Sequence, residues 1–397
     1  MHIGINAQLL SFSQNYRNGG VSRYIRYLLR ELAKRPGSHE YTVFVNGGEV
    51  IEHLAARHPQ LTYVAAPWPE SRPAARVMWE QFTLPSLIRQ RHIDVLHSPV
   101  NVLPEWLSPS CATVVTLHDL AFLRFPEVLT TTKRLYHRTF TLRSLQRATM
   151  IITVSNSTKQ DAHELVGIPV EHMRTVYSCI DERFSNVMEK EKVQAFRRQK
   201  GLTDGFLLYL GTLEPRKNLT TLIAAYARLR HTYGVREKLV LAGSKGWLYD
   251  TIFEKVRQHG LESEVLFPGY VADDEQLLWY HAASCFVYPS LYEGFGFPVA
   301  EALACGIPVV TSTVSSLPEA GATIALTVNP ENEDALAEAL YQSLTDSVYH
   351  EKCRVSAASV RQLFSAQAMA EQTIAVYEQA VALHALQRRS QRTSFVR

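Results

Sequence analysis

The stretch YPSLYEGFGFPVAEALACGIPVV, residues 288–310, decides the fold, because it runs from a strand through a glycine turn into a helix and then into another strand. Gly294 and Gly296 form the turn. Pro298 suits the first helical position, where its missing N–H would be unpaired in any case, and Gly306 suits the C-terminal stop. This order of elements is typical of a parallel sheet that is covered by helices.

The turn in this stretch is also a candidate anion site. Glycines let backbone N–H groups come close to a ligand, and the start of a helix offers further N–H groups and the positive end of its dipole. A phosphate could bind there. The sequence therefore predicts that a phosphorylated ligand contacts Gly294, Phe295, Gly296 and Phe297.

Two carboxylates lie on either side of this predicted phosphate site. Glu293 precedes the helix, and Glu301, eight positions later, is expected in about its first turn. Carboxylates do not bind phosphate, but they accept hydrogen bonds from sugar hydroxyls, so one could hold a transferred sugar and the other a ribose. The alternative interpretation is that Glu301 only complements the helix dipole and Glu293 is a solvated loop residue.

A second motif, YLGTLEPRKN at residues 209–218, places Arg216 and Lys217 between a strand and a helix that begins near Asn218. The carboxyl ends of the strands are where open α/β sheets bind ligands. Two cations at this edge predict an anion contact, although adjacent basic residues are also common on plain surfaces.

Strand-like segments that alternate with helix-like ones fill both halves of the chain. The pattern restarts after a charged, irregular stretch near residues 183–203. The sequence therefore predicts an α/β protein with two Rossmann-like parallel-sheet domains that face each other across a cleft. We expect the domains at residues 1–185 and 186–365, with a last helix and basic tail at 366–397.

The first half contributes two weaker candidates. Gly19 and Gly20 open a helix, which fits close backbone approach to a phosphate or sugar, but a plain turn explains them equally well. The segment TLHD at residues 116–119 places His118 and Asp119 at the end of a strand. A lone histidine is more often structural than catalytic, yet one at the carboxyl end of a strand is a better candidate than most.

Composition limits the functional class. The chain has 397 residues, 46% of them hydrophobic and 20% charged, with a net charge of +3, which suits a globular protein and argues against nucleic acid as a partner. Five scattered cysteines without a CxxC pair indicate neither a disulfide framework nor a structural zinc site. The N-terminus lacks a signal-peptide pattern, so we expect a cytoplasmic protein.

The motifs together resemble family 4 of the retaining GT-B glycosyltransferases. The spacing from Glu293 to Glu301 is that of the family's E-x7-E motif, and the resemblance covers nearly the whole chain. Six segments occur in the family's order: GINAQLL, the Gly19-Gly20 loop, TLHDL, VSNSTK, GTLEPRKN and EGFGFPVAEALACGIPVV. Residues 79–99 and 118–127 are most similar to bacterial mannosyltransferases of polysaccharide and O-antigen assembly.

The resemblance implies a role for each matching residue. Those that match Arg216 and Lys217 neutralise the donor diphosphate, and the one that matches Glu301 binds the donor ribose. The residue matching Glu293 lies near the hydroxyls of the donor sugar. His118 matches a residue beside the transferred sugar, and Gly20 a glycine near the diphosphate. The last helix of such proteins crosses back onto the first domain.

The expected activity is therefore transfer of a hexose, with mannose from GDP-mannose as the predicted donor, to a saccharide or lipid-linked saccharide. We expect no cofactor and no metal site. The basic tail QRRSQRTSFVR is interpreted as a frayed, solvated end, or else as a weak contact with the inner face of an anionic membrane.

Three other functions fit the same architecture. A nucleotide-sugar epimerase would isomerise the donor without an acceptor, and a glycan phosphorylase would carry a pyridoxal cofactor. A non-catalytic partner subunit would bind nucleotide-sugar without turnover. A Rossmann dehydrogenase is disfavoured, since no GxGxxG follows the first strand.

Overall fold

The computed structural model divides the chain into two compact units. The first unit joins Met1–Cys179 to the stretch that starts at Ala366, and the second is Ile180–Ser365. The structure describes residues 1–12, 20–35, 37, 39–67, 73–125, 134–135, 137–202 and 205–394.

Among the described residues, the first unit contains a seven-stranded parallel sheet in the order β3-β2-β1-β4-β5-β6-β7. Successive residues of one strand belong to different core clusters: Val114 lies in one cluster and Val115 in the other. Both faces of the sheet are therefore buried. The strands are β1 His2–Ala7, β2 Glu40–Asn46, β3 Thr62–Ala66, β4 Val95–Ser98, β5 Ala112–Leu117, β6 Met150–Thr153 and β7 Met173–Thr175.

The first helix buries one apolar stripe. Its Ile25, Leu28, Leu29 and Leu32 recur at helical spacing and are at most 1% exposed. The helices are α1 Gly20–Ala33, α2 Gly48–Arg57, α3 Pro73–Met78, α4 Leu84–Gln90, α5 Ala121–Arg124, α6 Leu142–Arg147 and α7 Asn156–Val166. Short π-helices span Trp79–Thr83 and His137–Thr141, and a 3-10 helix spans Val170–His172.

The second unit repeats this plan with a six-stranded parallel sheet in the order β10-β9-β8-β11-β12-β13. Its strands are β8 Phe206–Leu210, β9 Lys238–Ala242, β10 Val265–Gly269, β11 Cys285–Tyr288, β12 Val309–Ser312 and β13 Leu326–Val328. Its helices are α8 Lys190–Lys200, α9 Leu219–Tyr233, α10 Asp250–Gln258, α11 Gln276–Ala282, α12 Phe297–Ala304, α13 Leu317–Ala320, α14 Glu333–Thr345 and α15 Ser347–Leu363, with 3-10 helices at Glu182–Ser185 and Pro215–Lys217. Two Rossmann-like parallel-sheet domains, the predicted fold class, are thereby confirmed.

The chain's last helix, α16, spans Ala366–Ser394 and belongs to the first unit. Its Met369, Ala370 and Tyr377 lie in the same core cluster as Ile3 and Ile5 of β1. The helix continues through most of the basic tail and ends at Ser394. The expectation of a frayed end is therefore wrong for the tail up to that residue, since helical hydrogen bonding continues through it. Residues 395–397 lie outside the described part of the chain.

The boundary between the units lies between Cys179 and Ile180 rather than near residue 185. The backbone N–H of Ile180 donates to the carbonyl of Phe364 at 3.0 Å. Phe184, in the 3-10 helix that follows, is 1% exposed and packs edge-on against Tyr280. These contacts hold residues 180–185 in the second unit.

Within the described ranges, no helix combines the length and the apolar composition that crossing a lipid bilayer requires.

Candidate active-site residues

Two loops of the second unit leave the same edge of its sheet, because β8 and β11 are adjacent and parallel. The loop after β8 contains the 3-10 helix Pro215–Lys217, and the loop after β11 contains Glu293. Two bonds to the carbonyl of Arg216 join the loops: the N–H of Leu291 donates at 2.9 Å and the hydroxyl of Ser290 at 3.1 Å. The predicted cations and the predicted carboxylate therefore meet.

These residues form an ionic cluster. Lys217 Nζ lies 2.5 Å from Glu293 Oε1, and Arg216 Nη1 lies 3.2 Å from Glu293 Oε2. Arg216 Nη2 lies 2.8 Å from Glu214 Oε1. Two cations face two carboxylates, so the cluster is balanced as it stands, whereas the sequence suggested a bare pair of cations.

The main chain at Glu293 is fixed on both sides by serines. The N–H of Glu293 donates to Ser315 Oγ at 3.0 Å, and the hydroxyls of Ser315 and Ser316 donate to its carbonyl at 2.6 and 2.9 Å. Ser290 adds a hydrogen bond of 2.7 Å to Glu293 Oε1. The carboxylate is held in one position relative to both cations.

The cluster is largely buried, and burial shifts its titration. Burial alone would raise the pKa of Glu293, but Lys217 and Arg216 outweigh it and lower that pKa to about 2. The carboxylate is therefore ionised at neutral pH and is a weak base. Burial lowers the pKa of the Lys217 ammonium, while Glu293 opposes the change. Lys217 also donates to the Tyr288 hydroxyl at 2.9 Å.

The glycine turn leads directly into α12. Gly296 is its N-cap, with a φ of 95°, and a Cβ at this position would lie 3.0 Å from Leu317 Cδ2 and 3.2 Å from Ala320 Cβ. Only glycine fits such a backbone and such a contact. Pro298 lies in the first turn. Gly294 is half-buried in the loop before the helix.

The two phenylalanines of the turn are not equivalent. Phe295 is 3% exposed and packs edge-on against Phe364 at 5.2 Å, so its side chain belongs to the core and only its backbone remains as a candidate ligand contact. Phe297 is half-buried and packs edge-on against Phe295 at 5.2 Å.

Glu301 differs most from expectation. The helix begins at Phe297, so Glu301 follows its first turn, and its side chain is 0% exposed. The Tyr280 hydroxyl donates to Glu301 Oε2 at 2.9 Å. The carboxylate thus lies inside the unit, and its ribose contact, implied by the resemblance, stays a prediction.

In the first unit, His118 follows β5 at the carboxyl edge of the sheet. Its Nε2 lies 2.9 Å from the carbonyl of Pro99, and its N–H donates to Asn101 Oδ1 at 3.2 Å. Because a carbonyl only accepts, Nε2 carries the proton and Nδ1 is the acceptor. Burial lowers the pKa of this imidazole, which favours its neutral form.

Gly20, the other predicted site residue of the first unit, is the exposed first residue of α1. Gly19 lies outside the described residues.

A second histidine of the first unit was not predicted from the sequence. His97, in β4, is 0% exposed, with Nδ1 2.6 Å from the Tyr377 hydroxyl and Nε2 2.8 Å from Thr116 Oγ1. Burial lowers its pKa to about 3. The signal was present in the segment DVLHSP, where a histidine nears the carboxyl end of a strand as His118 does.

Two family models cover most of the chain. The model described as Glycosyltransferase Family 4 matches residues 18–184, and the model described as Glycosyl transferases group 1 matches residues 191–360. The O-antigen chain mannosyltransferase B of Escherichia coli is 30% identical over 369 residues, which are 90% of this chain and 96% of that protein. This chain belongs to glycosyltransferase family 4.

Other similar proteins agree with this assignment. The serotype-specific mannosyltransferase WbdA of Escherichia coli is 30% identical over 56% of this chain and 28% of that longer protein. The crystal structure of Anabaena HepE in complex with UDP and glucose superposes with a TM-score of 0.69 at 18% identity, over 96% of this glycosyltransferase and 100% of HepE. The fold is therefore of the GT-B type, and the mannosyltransferase relatives support a hexose as the transferred sugar.

Within the described part of the chain, no group of three or more His, Cys, Asp or Glu side chains is placed to hold a metal ion.

Proposed function

We propose that this family 4 glycosyltransferase moves mannose from GDP-mannose to a saccharide or lipid-linked saccharide in bacterial polysaccharide assembly. The observation that carries the proposal is the ionic cluster at the carboxyl edge of the second sheet, where Arg216 and Lys217 meet Glu293. The choice of mannose follows the similar mannosyltransferases of Escherichia coli.

The cluster suits a departing diphosphate. As the bond to the sugar breaks, the nucleoside diphosphate gains negative charge, and groups that are oriented beforehand stabilise such charge best. Arg216 offers a planar fork and Lys217 a point charge. Glu293 holds both cations in position before the donor arrives. With these cations supplying the positive charge, we propose transfer without a divalent metal.

We also propose that the anomeric configuration is retained without a covalent intermediate on Glu293. Its carboxylate is paired with two cations and has a pKa near 2, so it is a poor nucleophile. The leaving diphosphate could instead accept the proton of the incoming hydroxyl on the same face of the sugar, while Glu293 stabilises the positive charge that develops there.

His118 completes the proposal from the first unit. Its Nδ1 is an acceptor suited to a sugar hydroxyl, because Nε2 already donates to Pro99. A nucleotide-sugar donor and a lipid-linked acceptor together imply a cytoplasmic enzyme, with contact to the inner membrane face during transfer.

A donor panel tests the proposal. Thermal shift with GDP-mannose and with UDP-sugars should show stabilisation by GDP-mannose, and NMR of the product should show an α-mannoside from the α-linked donor. Stabilisation by a UDP-sugar alone would refute the donor, and an inverted product would refute retention.

A further inference from the structure

A continuous chain of hydrogen bonds links four elements of the first unit. It runs from Tyr377 in α16 to His97 in β4 at 2.6 Å, on to Thr116 in β5 at 2.8 Å, and on to Tyr24 in α1 at 3.3 Å. These four side chains are at most 1% exposed, so no water competes for the bonds.

The bonds of this chain are coupled through His97. Its imidazole is neutral, because burial lowers its pKa to about 3, so one ring nitrogen donates and the other accepts. The tautomer of His97 therefore sets the donor and acceptor roles of the hydroxyls of Tyr377 and Thr116 together.

The chain of hydrogen bonds ends at Tyr24, whose ring contacts His118. The ring of Tyr24 meets the His118 ring edge-on, with centroids 5.2 Å apart and planes at 89°. Thr116, in β5, lies two residues before His118. The position of the Tyr24 ring therefore limits how the His118 imidazole can turn.

We propose that Tyr24 is a positioning residue for His118 and that His97 fixes Tyr24 through Thr116. This inference rests on the proposed role of His118 beside the transferred sugar. It connects α16 to the catalytic apparatus, because Tyr377 holds one end of the chain of hydrogen bonds. A core histidine with only a packing role would leave His118 and turnover unaffected.

Kinetics of the full-length enzyme test this positioning role. His97→Leu should lower kcat about tenfold or more, since small misplacements of reacting groups are costly, while the KM for the donor stays near the wild-type value. His97→Gln should recover most of kcat, because its amide can donate to Thr116 and accept from Tyr377. Equal kcat in the Leu variant and the wild type would overturn the proposal.

A matched control separates positioning from general destabilisation. Tyr63→Phe removes a hydroxyl that donates to the carbonyl of His58 at 3.0 Å in the same unit, away from this chain of hydrogen bonds. Its kcat should equal the wild-type value, whereas Tyr24→Phe should lower kcat at a comparable loss of melting temperature. A similar fall of kcat in both variants would count against positioning.

Two further measurements separate failure of this inference from failure of the proposed function. In a His118→Ala background, Tyr24→Phe should have no additional effect on kcat, and an equal additional loss would show that Tyr24 does not act through His118. Nitrogen-15 NMR of the His118 ring needs no turnover. It should show the Nε2–H tautomer in the wild type and a mixture in His97→Leu, and an unchanged His118 signal would overturn the proposal.

Discussion

The polar centres of the two units differ in kind. The second unit contains an ionic cluster in which Arg216 and Lys217 face Glu293, and the first contains neutral groups in which His97 and Thr116 lead to Tyr24. The centre of the first unit is buried and that of the second is largely buried, and both lie toward the carboxyl edge of a parallel sheet. One therefore depends on charge pairing and the other on complete hydrogen bonding.

This difference matches the two halves of the proposed reaction. A nucleotide-diphosphate donor is charged, and the second unit offers preformed cations with a carboxylate that keeps them apart. A saccharide is neutral and rich in hydroxyls, and the first unit offers an uncharged imidazole as an acceptor. Substitutions that change charge should therefore matter most in the second unit, and those that change hydrogen bonding in the first.

The largest expected effect is that of removing a cation of the cluster. Lys217→Ala should lower the transfer rate about a hundredfold or more, as loss of an oriented charge-stabilising donor does. It should also cost about 3 kcal/mol of stability, because Glu293 stays buried with one partner fewer. Steady-state kinetics and thermal melts measure the two effects.

A control for this variant is Lys200→Ala, whose side chain lies 3.4 Å from Glu275 elsewhere in the second unit. It should keep the wild-type rate. If Lys217→Ala retained a rate within a few-fold of the wild type, the cluster would not be the main stabiliser of the leaving diphosphate.

The next effect concerns the carboxylate. Glu293→Gln should keep donor affinity but lower kcat roughly tenfold or more, because the amide preserves the shape of the side chain without the charge that stabilises the developing positive sugar. Isothermal titration with the donor and single-turnover kinetics give the two quantities. Glu214→Gln, which touches only the Arg216 end of the cluster, should have a smaller effect on kcat. A Glu293→Gln variant that lost donor affinity and kept kcat would show that Glu293 binds the donor and does not stabilise the developing positive charge.

Acid should destabilise the two units in different pH ranges. The pKa of His97 is about 3 in the folded chain and 6.5 in the unfolded chain. On acidification the unfolded state therefore binds the proton first. The contribution of His97 to the free energy of unfolding is complete above pH 6.5 and is about 2 kcal/mol smaller at pH 5. The pKa of Glu293 is lowered from 4.5 to about 2. Its contribution to the free energy of unfolding, about 3 kcal/mol in all, is therefore lost only between pH 4.5 and pH 2.

Hydrogen exchange resolved by peptide can follow each unit separately. Amides of β4 and β5 should lose protection between pH 6.5 and 5, and those around β8 and β11 only below pH 4.5. His97→Gln should remove the first loss and Glu293→Gln the second. A simultaneous loss in both units would show that the two centres are not independent.

The smallest expected effect is that of metal chelation, which should not change the transfer rate. Excess EDTA should leave transfer unchanged, because in the proposed mechanism Arg216 and Lys217 supply the positive charge at the diphosphate. Activity with and without EDTA, and after addition of magnesium or manganese, measures this. Complete loss in EDTA with recovery on adding metal would contradict metal-free transfer.

Most of the fold could be predicted from hydrophobic pattern. The alternation of strand-like and helix-like segments predicted a parallel sheet in each half of the chain, and the structure has both sheets. Strands β7 and β13 carry little of this signal. Each has three residues, MRT and LTV, and lies at the edge of its sheet with partly exposed side chains, so neither shows a buried apolar run.

The candidate site was only partly predictable. Glycine and proline signals located the loops with Glu293, Arg216 and Lys217, because turn chemistry is local. Pairing between residues 76 and 77 positions apart depends on which strands are neighbours, so the ion pairs did not follow from the sequence. The inward direction of Glu301 was equally hidden, since a charged residue in a short helix is usually exposed.

The position of α16 also affects the order in which the chain can fold during synthesis. The second unit is one continuous segment, complete once Ser365 has left the ribosome. The first unit needs Met369, Ala370 and Tyr377 to close its core, although its sheet is made much earlier. Until then the nascent first unit keeps an apolar face open, so the second unit in the chain is the first that can reach its final structure.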